Sequence, residues 1–345
     1  MQRVKRMDSN KVKQAAAAVL KKLPLFIFCV AFISGYNSLC GSENSIVGVV
    51  LLAGLLILMG ADLGYDARQA AVSIVLLFAV LAFAPKLSLI NPWIGLVVNV
   101  AALTLIMLLS GHDLSKTGHL PFTMGYIMIQ GYDVTGAVFQ KRWISLLIGG
   151  ILIAALYYVI HSKKPHKRTI KDLVSEQHID STRTQWYIRL VATLSFVMLV
   201  GDLVNFPKTM WICLTILSLS TPLAAEYKKR AMHRIPATII GSVLVFMLFE
   251  TLVPFQYQTM VILLAGFMSM FISSYFIKTI YNSFSALITA ALIFPANQAV
   301  LIRIVANIIG AVIALASIVL FSKLFQKSAG HGNDGGKIKK QLAHM

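Results

Sequence analysis

The stretch Pro207-Lys-Thr-Met-Trp211-Ile-Cys-Leu-Thr215-Ile-Leu-Ser-Leu-Ser-Thr221-Pro222, continued by Leu-Ala-Ala-Glu226-Tyr-Lys-Lys-Arg230-Ala-Met-His233-Arg234-Ile-Pro-Ala-Thr238-Ile-Ile-Gly241, decides the fold class. Two apolar runs flank a short, strongly basic turn. The first run opens after Pro207, where a helix loses nothing by lacking an N–H. A basic turn between two apolar runs marks the cytoplasmic side of a membrane. Glu226, Arg230 and Arg234 stand four residues apart, so they share one helix face and can pair. Thr238 and Gly241 thin a face of the next helix for close packing.

Composition extends this reading to the whole chain. Of 345 residues, 57% are hydrophobic and only 13% charged, and the mean hydropathy is +0.76. A soluble protein carries about 25% charged residues, so an all-α polytopic membrane protein is expected. Apolar runs fall at 23–39, 44–60, 69–84, 92–110, 120–130 and 143–161, then at 186–204, 208–225, 235–253, 259–277, 283–294 and 300–322. Most suffice for a hydrocarbon core of about 30 Å; Leu120–Gln130 and Ser283–Phe294 are short. Twelve segments result, organised as a basic amphipathic segment 1–22 on the inner membrane face, a first six-span repeat 23–161, a cytoplasmic linker 162–185, a second six-span repeat 186–325 and a flexible tail 326–345.

The cations test this topology. An even number of crossings puts 25 Lys and Arg inside and five outside or near it, which assigns both termini and the linker to the cytoplasm. The formal charge of +18 then reflects topology and gives no reason to expect a nucleic-acid partner; membrane lipids are the expected surroundings. No signal peptide is expected, since residues 1–22 are too polar for an h-region. Cys29, Cys40 and Cys213 show no metal spacing and predict no structural disulfide.

A shift of 161 residues aligns the ends of the two halves. Arg142 falls on Arg303, Gly149 on Gly310 and Asn44 on Asn205. In each half a short apolar segment precedes a polar break, Gly131–Gly136 or Pro295–Gln298, and an arginine and a long last helix follow. Paired, broken segments at matching positions point to a transport site, because backbone freed at a break lines protein or water and never lipid. Arg142 and Arg303 are thus expected to bind a carboxylate, with Tyr126, Gln130 and Asn297 adding polar contacts and Trp211 an aromatic wall. The competing expectation is that both arginines snorkel to outer headgroups. Glu250 is the deepest acid and a candidate for proton coupling.

No Walker loop, nucleophile elbow or metalloprotease motif occurs, so no enzyme activity and no cofactor are expected. His112, Asp113 and His119 do not have a common zinc spacing, so no metal is expected either.

The opening stretch resembles the fusaric-acid-resistance (FUSC) family and the related aluminium-activated malate transporters of plants. The pattern is a Trp-x-x-x-Thr helix, a Pro, a basic turn, then Arg-[Ile/Leu]-x-Gly-Thr-x-x-Gly. Trp211, Thr215, Pro222, Arg230, Arg234, Ile235, Thr238 and Gly241 match it, Ala237 replaces a glycine and Pro236 is added. The resemblance implies a bacterial inner-membrane exporter of small organic anions, aromatic carboxylates above all. A passive anion channel, or a non-transporting protein that binds lipid or an envelope-assembly partner, are the alternatives.

Overall fold

A computed structural model describes residues 2–113, 117–164, 168–221, 224–248, 252–291 and 296–329. Pro222 and Glu250, and the side chains of Glu226 and Asn297, lie outside the described residues, as does the tail from 330.

The described chain is helical and contains no strand. α1 (Gln2–Cys40), α2 (Ser45–Gly60), α3 (Ala67–Ser88), α4 (Pro92–Ser110), α5 (Leu120–Gly131) and α6 (Gly136–His161) build the first half. A short α7 (Ile170–Ser175) lies in the linker. α8 (Thr182–Leu203), α9 (Thr209–Leu219), α10 (Ala224–Met247), α11 (Phe255–Ser269), α12 (Tyr275–Ala291) and α13 (Ala296–Ala329) follow. Among the described residues, seven helices are long and apolar enough to cross a membrane: Ala17–Cys40, Ser42–Gly60, Ala67–Ser88, Pro92–Ser110, Gly136–His161, Thr182–Leu203 and Val300–Phe325. Thr209–Leu219 and Met260–Ser269 are shorter apolar helices.

Local chemistry explains the boundaries. Asn91 caps α4 by accepting from Trp93 N and Ile94 N, with Pro92 in the first turn, while Asp66 accepts from Arg68 N and Gln69 N at the start of α3. α7 opens with a capping box: the Asp172 carboxylate accepts from Thr169 N at 2.7 Å and from the Thr169 hydroxyl at 2.9 Å. Its Leu173 is fully buried, so part of the expected linker packs against the helical body.

Three expectations are corrected. The basic segment 1–22 is not set off from the first span, since α1 runs through both with Pro24 inside it. The basic residues after Pro222 do not form a turn, because α10 begins at Ala224 and carries Arg230 and Arg234 on its first turns. The short segment of the second half is not Ser283–Phe294, since the break falls at 270–274 and α12 starts at Tyr275. Its polar residues Thr279 and Ser283 bond back to the carbonyls four residues earlier, at 2.8 and 3.3 Å, and so stay compatible with helix.

Candidate functional site

The second half buries a cluster of polar side chains where α9, α10, α12 and α13 meet. Asn307, in the middle of α13, ties it together. Its Nδ2 donates to Arg303 O at 2.8 Å, and its Oδ1 lies 2.9 Å from Thr215 Oγ1 and 3.4 Å from Thr238 Oγ1. Thr215 also reaches Trp211 O at 2.9 Å, one turn back on α9. Arg234 enters from α10: NH1 donates to Ser218 Oγ at 2.7 Å and to the Tyr275 hydroxyl at 3.3 Å, and NH2 to Thr215 Oγ1 at 3.4 Å. Arg230 stacks over the Tyr275 ring, 5.7 Å from its centre. Arg303 is 7% exposed, and its Cζ lies 5.5 Å from the centre of the Trp211 ring.

Helix-helix proximity makes this convergence possible. A Cβ on Gly310 would come within 2.9 Å of Ile212 O, so α13 sits directly on α9 at the level of Thr215. A Cβ on Gly241 would meet Ser283 Oγ at 2.8 Å, which brings α10 onto α12.

The electrostatics are unusual for a buried site. Arg303 Nε and Arg234 Nε are buried and have no hydrogen-bond partner. Among the described residues neither guanidinium has a carboxylate within ion-pair distance. A charge buried without a counter-charge is costly. Beside Arg303 the Trp211 ring presents a flat apolar face.

The expected partners of this site have other roles. Arg142 is 2% exposed, so it does not snorkel. Its Nε donates to Asn44 Oδ1 at 2.9 Å, NH1 to Tyr132 O at 2.7 Å and Ile129 O at 3.5 Å, and NH2 to Glu43 O at 3.4 Å. It closes the carbonyl end of α5, where a cation is favoured. The Tyr126 hydroxyl donates to Asn99 Oδ1 at 2.6 Å and Gln130 Nε2 to Ser88 Oγ at 2.9 Å, both inside the first half. Of the residues expected to bind substrate, Arg303 and Trp211 come together. Thr215, Arg234 and Thr238, read from sequence as a motif position, an ion-pairing residue and a packing residue, line the same cluster. Asn307, Ser218 and Tyr275 were missed; an Asn one turn after Arg303, in the apolar middle of α13, was the available signal. His112 and His119 do not converge: His112 lies between Arg168 and Arg183, and His119 packs edge-on to Trp186 at 5.0 Å.

Residues 195–317 match the family model described as fusaric acid resistance protein-like. The match takes in α9, α10, α11, α12 and most of α13, and so every residue of the cluster. No curated protein and no solved structure matches the chain.

Proposed function

We propose, from that family match and from the paired guanidiniums of Arg303 and Arg234, that the chain moves small organic anions across a membrane, aromatic carboxylates best. The observation that carries the reading is two arginines, Arg303 buried and Arg234 half-buried, whose Nε atoms have no hydrogen-bond partner and which have no carboxylate within ion-pair distance among the described residues, Arg303 being stacked on Trp211. A carboxylate takes the planar N–H fork of either arginine, and an aromatic body lies against the indole. Cytoplasmic termini agree with the 25-to-5 distribution of cations expected from sequence, and export is the direction that the resistance named in the family description suggests.

The proposal takes the chain as two six-helix halves, related by the 161-residue shift, that make twelve crossings. Several contacts support it. The shift carries α2 onto 206–221, which covers α9, and α6 onto 297–322, inside α13. Gly149 is closed over by Leu51 and Gly310 by Ile212, and the two pairs coincide under the shift. α4 packs on α8 across the halves, and α1 reaches α11 in the same way, with Phe26 and Phe267 rings 4.9 Å apart.

The halves then differ in one instructive respect. Trp211, Thr215, Thr238 and Asn307 correspond to Val50, Gly54, Leu77 and Leu146. The polar cluster has no first-half counterpart, so one chain carries one anion site. The first half braces it.

Flux of a panel of aromatic acids into proteoliposomes tests this. Saturable uptake by the wild type is expected. Asn307→Leu, which installs the first-half residue, should fold and should lower flux roughly ten- to a hundredfold, the loss expected for hydrogen bonds to a charged group. Wild-type flux in that variant, or no uptake of any acid by the wild type, refutes the proposal.

A further inference from the structure

A second site lies at the linker end of the groove between α4 and α8, and it does not depend on the anion-transport reading. The groove has a volume of about 390 Å³ and is lined by Val100, Thr104, Leu108, Ile188 and Val191, with Gln177 and Thr184 at the linker end. From Thr184 to Ala192 it follows α8 for about 12 Å. Val100 and Ile188 are 41% and 39% exposed, so the groove opens sideways, toward lipid in a bilayer.

Its linker end has more donors than acceptors. Arg168 NH1 lies 2.7 Å from His112 Nε2, and Arg183 NH1 lies 2.7 Å from His112 Nδ1. Burial, and the charges of Arg183 and Arg168, push the His112 pKa down, so the ring is neutral. A neutral imidazole has one acceptor nitrogen and a guanidinium has none, so only one of these contacts is a hydrogen bond. Arg183 Nε and the Tyr187 hydroxyl are buried with no partner at all. Glu176 is shared, 3.2 Å from Arg168 Nε and 3.6 Å from Arg183 NH2, and Asp113 adds a second negative charge near the ring. Among the described residues, then, a buried guanidinium nitrogen of Arg183 stays without an acceptor while Arg168, about half exposed, faces outward beside it.

We propose that this groove binds an anionic phospholipid, with an acyl chain between α4 and α8 and the phosphate on Arg183 and Arg168. An apolar channel open to the bilayer and ending in surplus donors matches that ligand in both halves of its chemistry. Free phosphate lacks the chain, and an uncharged lipid lacks the acceptors. Bound there, the lipid links α4 of the first half to α8 of the second and to the linker at Arg168 and Gln177.

The test uses the purified full chain in a non-ionic detergent, with lipid binding read by native mass spectrometry and by thermal stability. Dioctanoyl phosphatidylglycerol is expected to bind and to raise the melting temperature. Dioctanoyl phosphatidylcholine should bind about fivefold or more weakly, the difference expected for one cation near a headgroup. Arg183→Gln should weaken phosphatidylglycerol binding roughly tenfold or more. Thr104→Trp, at an exposed position, should fold and should block the groove. Equal binding of the two lipids, equal stabilisation by inorganic phosphate alone, or wild-type affinity in Thr104→Trp overturns the proposal.

Discussion

Arg142 and Arg303 occupy matching sequence positions and should respond oppositely to the same substitution. Arg142→Lys removes a guanidinium with two well-placed acceptors on separate elements, Asn44 Oδ1 at 2.9 Å and Tyr132 O at 2.7 Å. An ammonium on a single stem reaches one of them, so one charged hydrogen bond is lost. Such a bond contributes about 1.5–3 kcal/mol in soluble proteins, and bonds between membrane helices contribute less, about 0.6 kcal/mol on average. A stability loss of about 1–3 kcal/mol is expected, with anion flux per folded molecule unchanged. The Arg303 side chain donates no hydrogen bond to a described residue, and a lysine keeps the attraction to the Trp211 ring. Arg303→Lys should therefore cost under about 1 kcal/mol of stability but lower anion affinity roughly ten- to a hundredfold, because the planar fork is gone. Thermal unfolding in detergent, paired with flux at equal reconstituted protein, reads both quantities. An Arg303→Lys variant that unfolds as readily as Arg142→Lys while keeping wild-type affinity refutes the division of labour between the two arginines.

Two further outcomes are expected. Burial pushes the His119 pKa down to about 4 from an ordinary value near 6.5. Between those pH values the unfolded chain takes up a proton that the folded chain refuses, so stability falls as pH drops from 6.5 and levels off below 4, by about 3 kcal/mol in all. His119→Phe should flatten that segment of a stability-versus-pH curve; an unchanged slope assigns the effect elsewhere. Cysteine placed at Ser175, an exposed position in α7, should resist impermeant thiol reagents in intact cells, and labelling from outside refutes the cytoplasmic linker.

Hydropathy and breaker residues made the helical elements of the first half legible. The expected segments at 92–110 and 120–130 appear as Pro92–Ser110 and Leu120–Gly131, bounded by Asn91–Pro92 and by the Gly131–Gly136 break. The second half was harder to read, because its helices carry polar residues that satisfy themselves. Thr279 and Ser283 bond to their own helix, which let α12 start eight residues before the expected boundary. The FUSC-like residues were recognised, yet Thr215, Arg234 and Thr238 were read as a motif position, an ion-pairing residue and a packing residue, and not as one cluster. Spacing within one helix says which residues share a face but not what stands opposite, and Asn307 lies about 70 to 90 residues away in the chain. Arg142 was misleading for the related reason that an arginine beside a break looks alike whether it awaits a ligand or caps the helix before it. Only the positions of Asn44 and of the Tyr132 carbonyl distinguish the two.

The end of α5 is fastened from two sides. Arg142 holds its carbonyls, Lys86 bonds Asp133 at 2.7 Å, Lys208 sits 4.2 Å over the Tyr132 ring, and any side chain at Gly131 would overlap Met210. Lys208 and Met210 belong to the start of α9, so the first half grips the very helix that bears Trp211 and Thr215. That helix cannot swing without unlatching the grip, and α13 is seated on it through Gly310. The wall formed by α9 and α13 is in this sense the stator of the machine. On the anion-transport reading, a movement that exposes the arginines alternately to the two sides of a membrane falls to the other wall, α10 with α12, which among the described residues holds α9 at this level through the Arg234 fan onto Ser218 and Thr215 and the bond between Ser218 and Tyr275. Arg234 would thus be both a ligand for the anion and the latch that the anion competes with, so that loading the site loosens the wall that has to move.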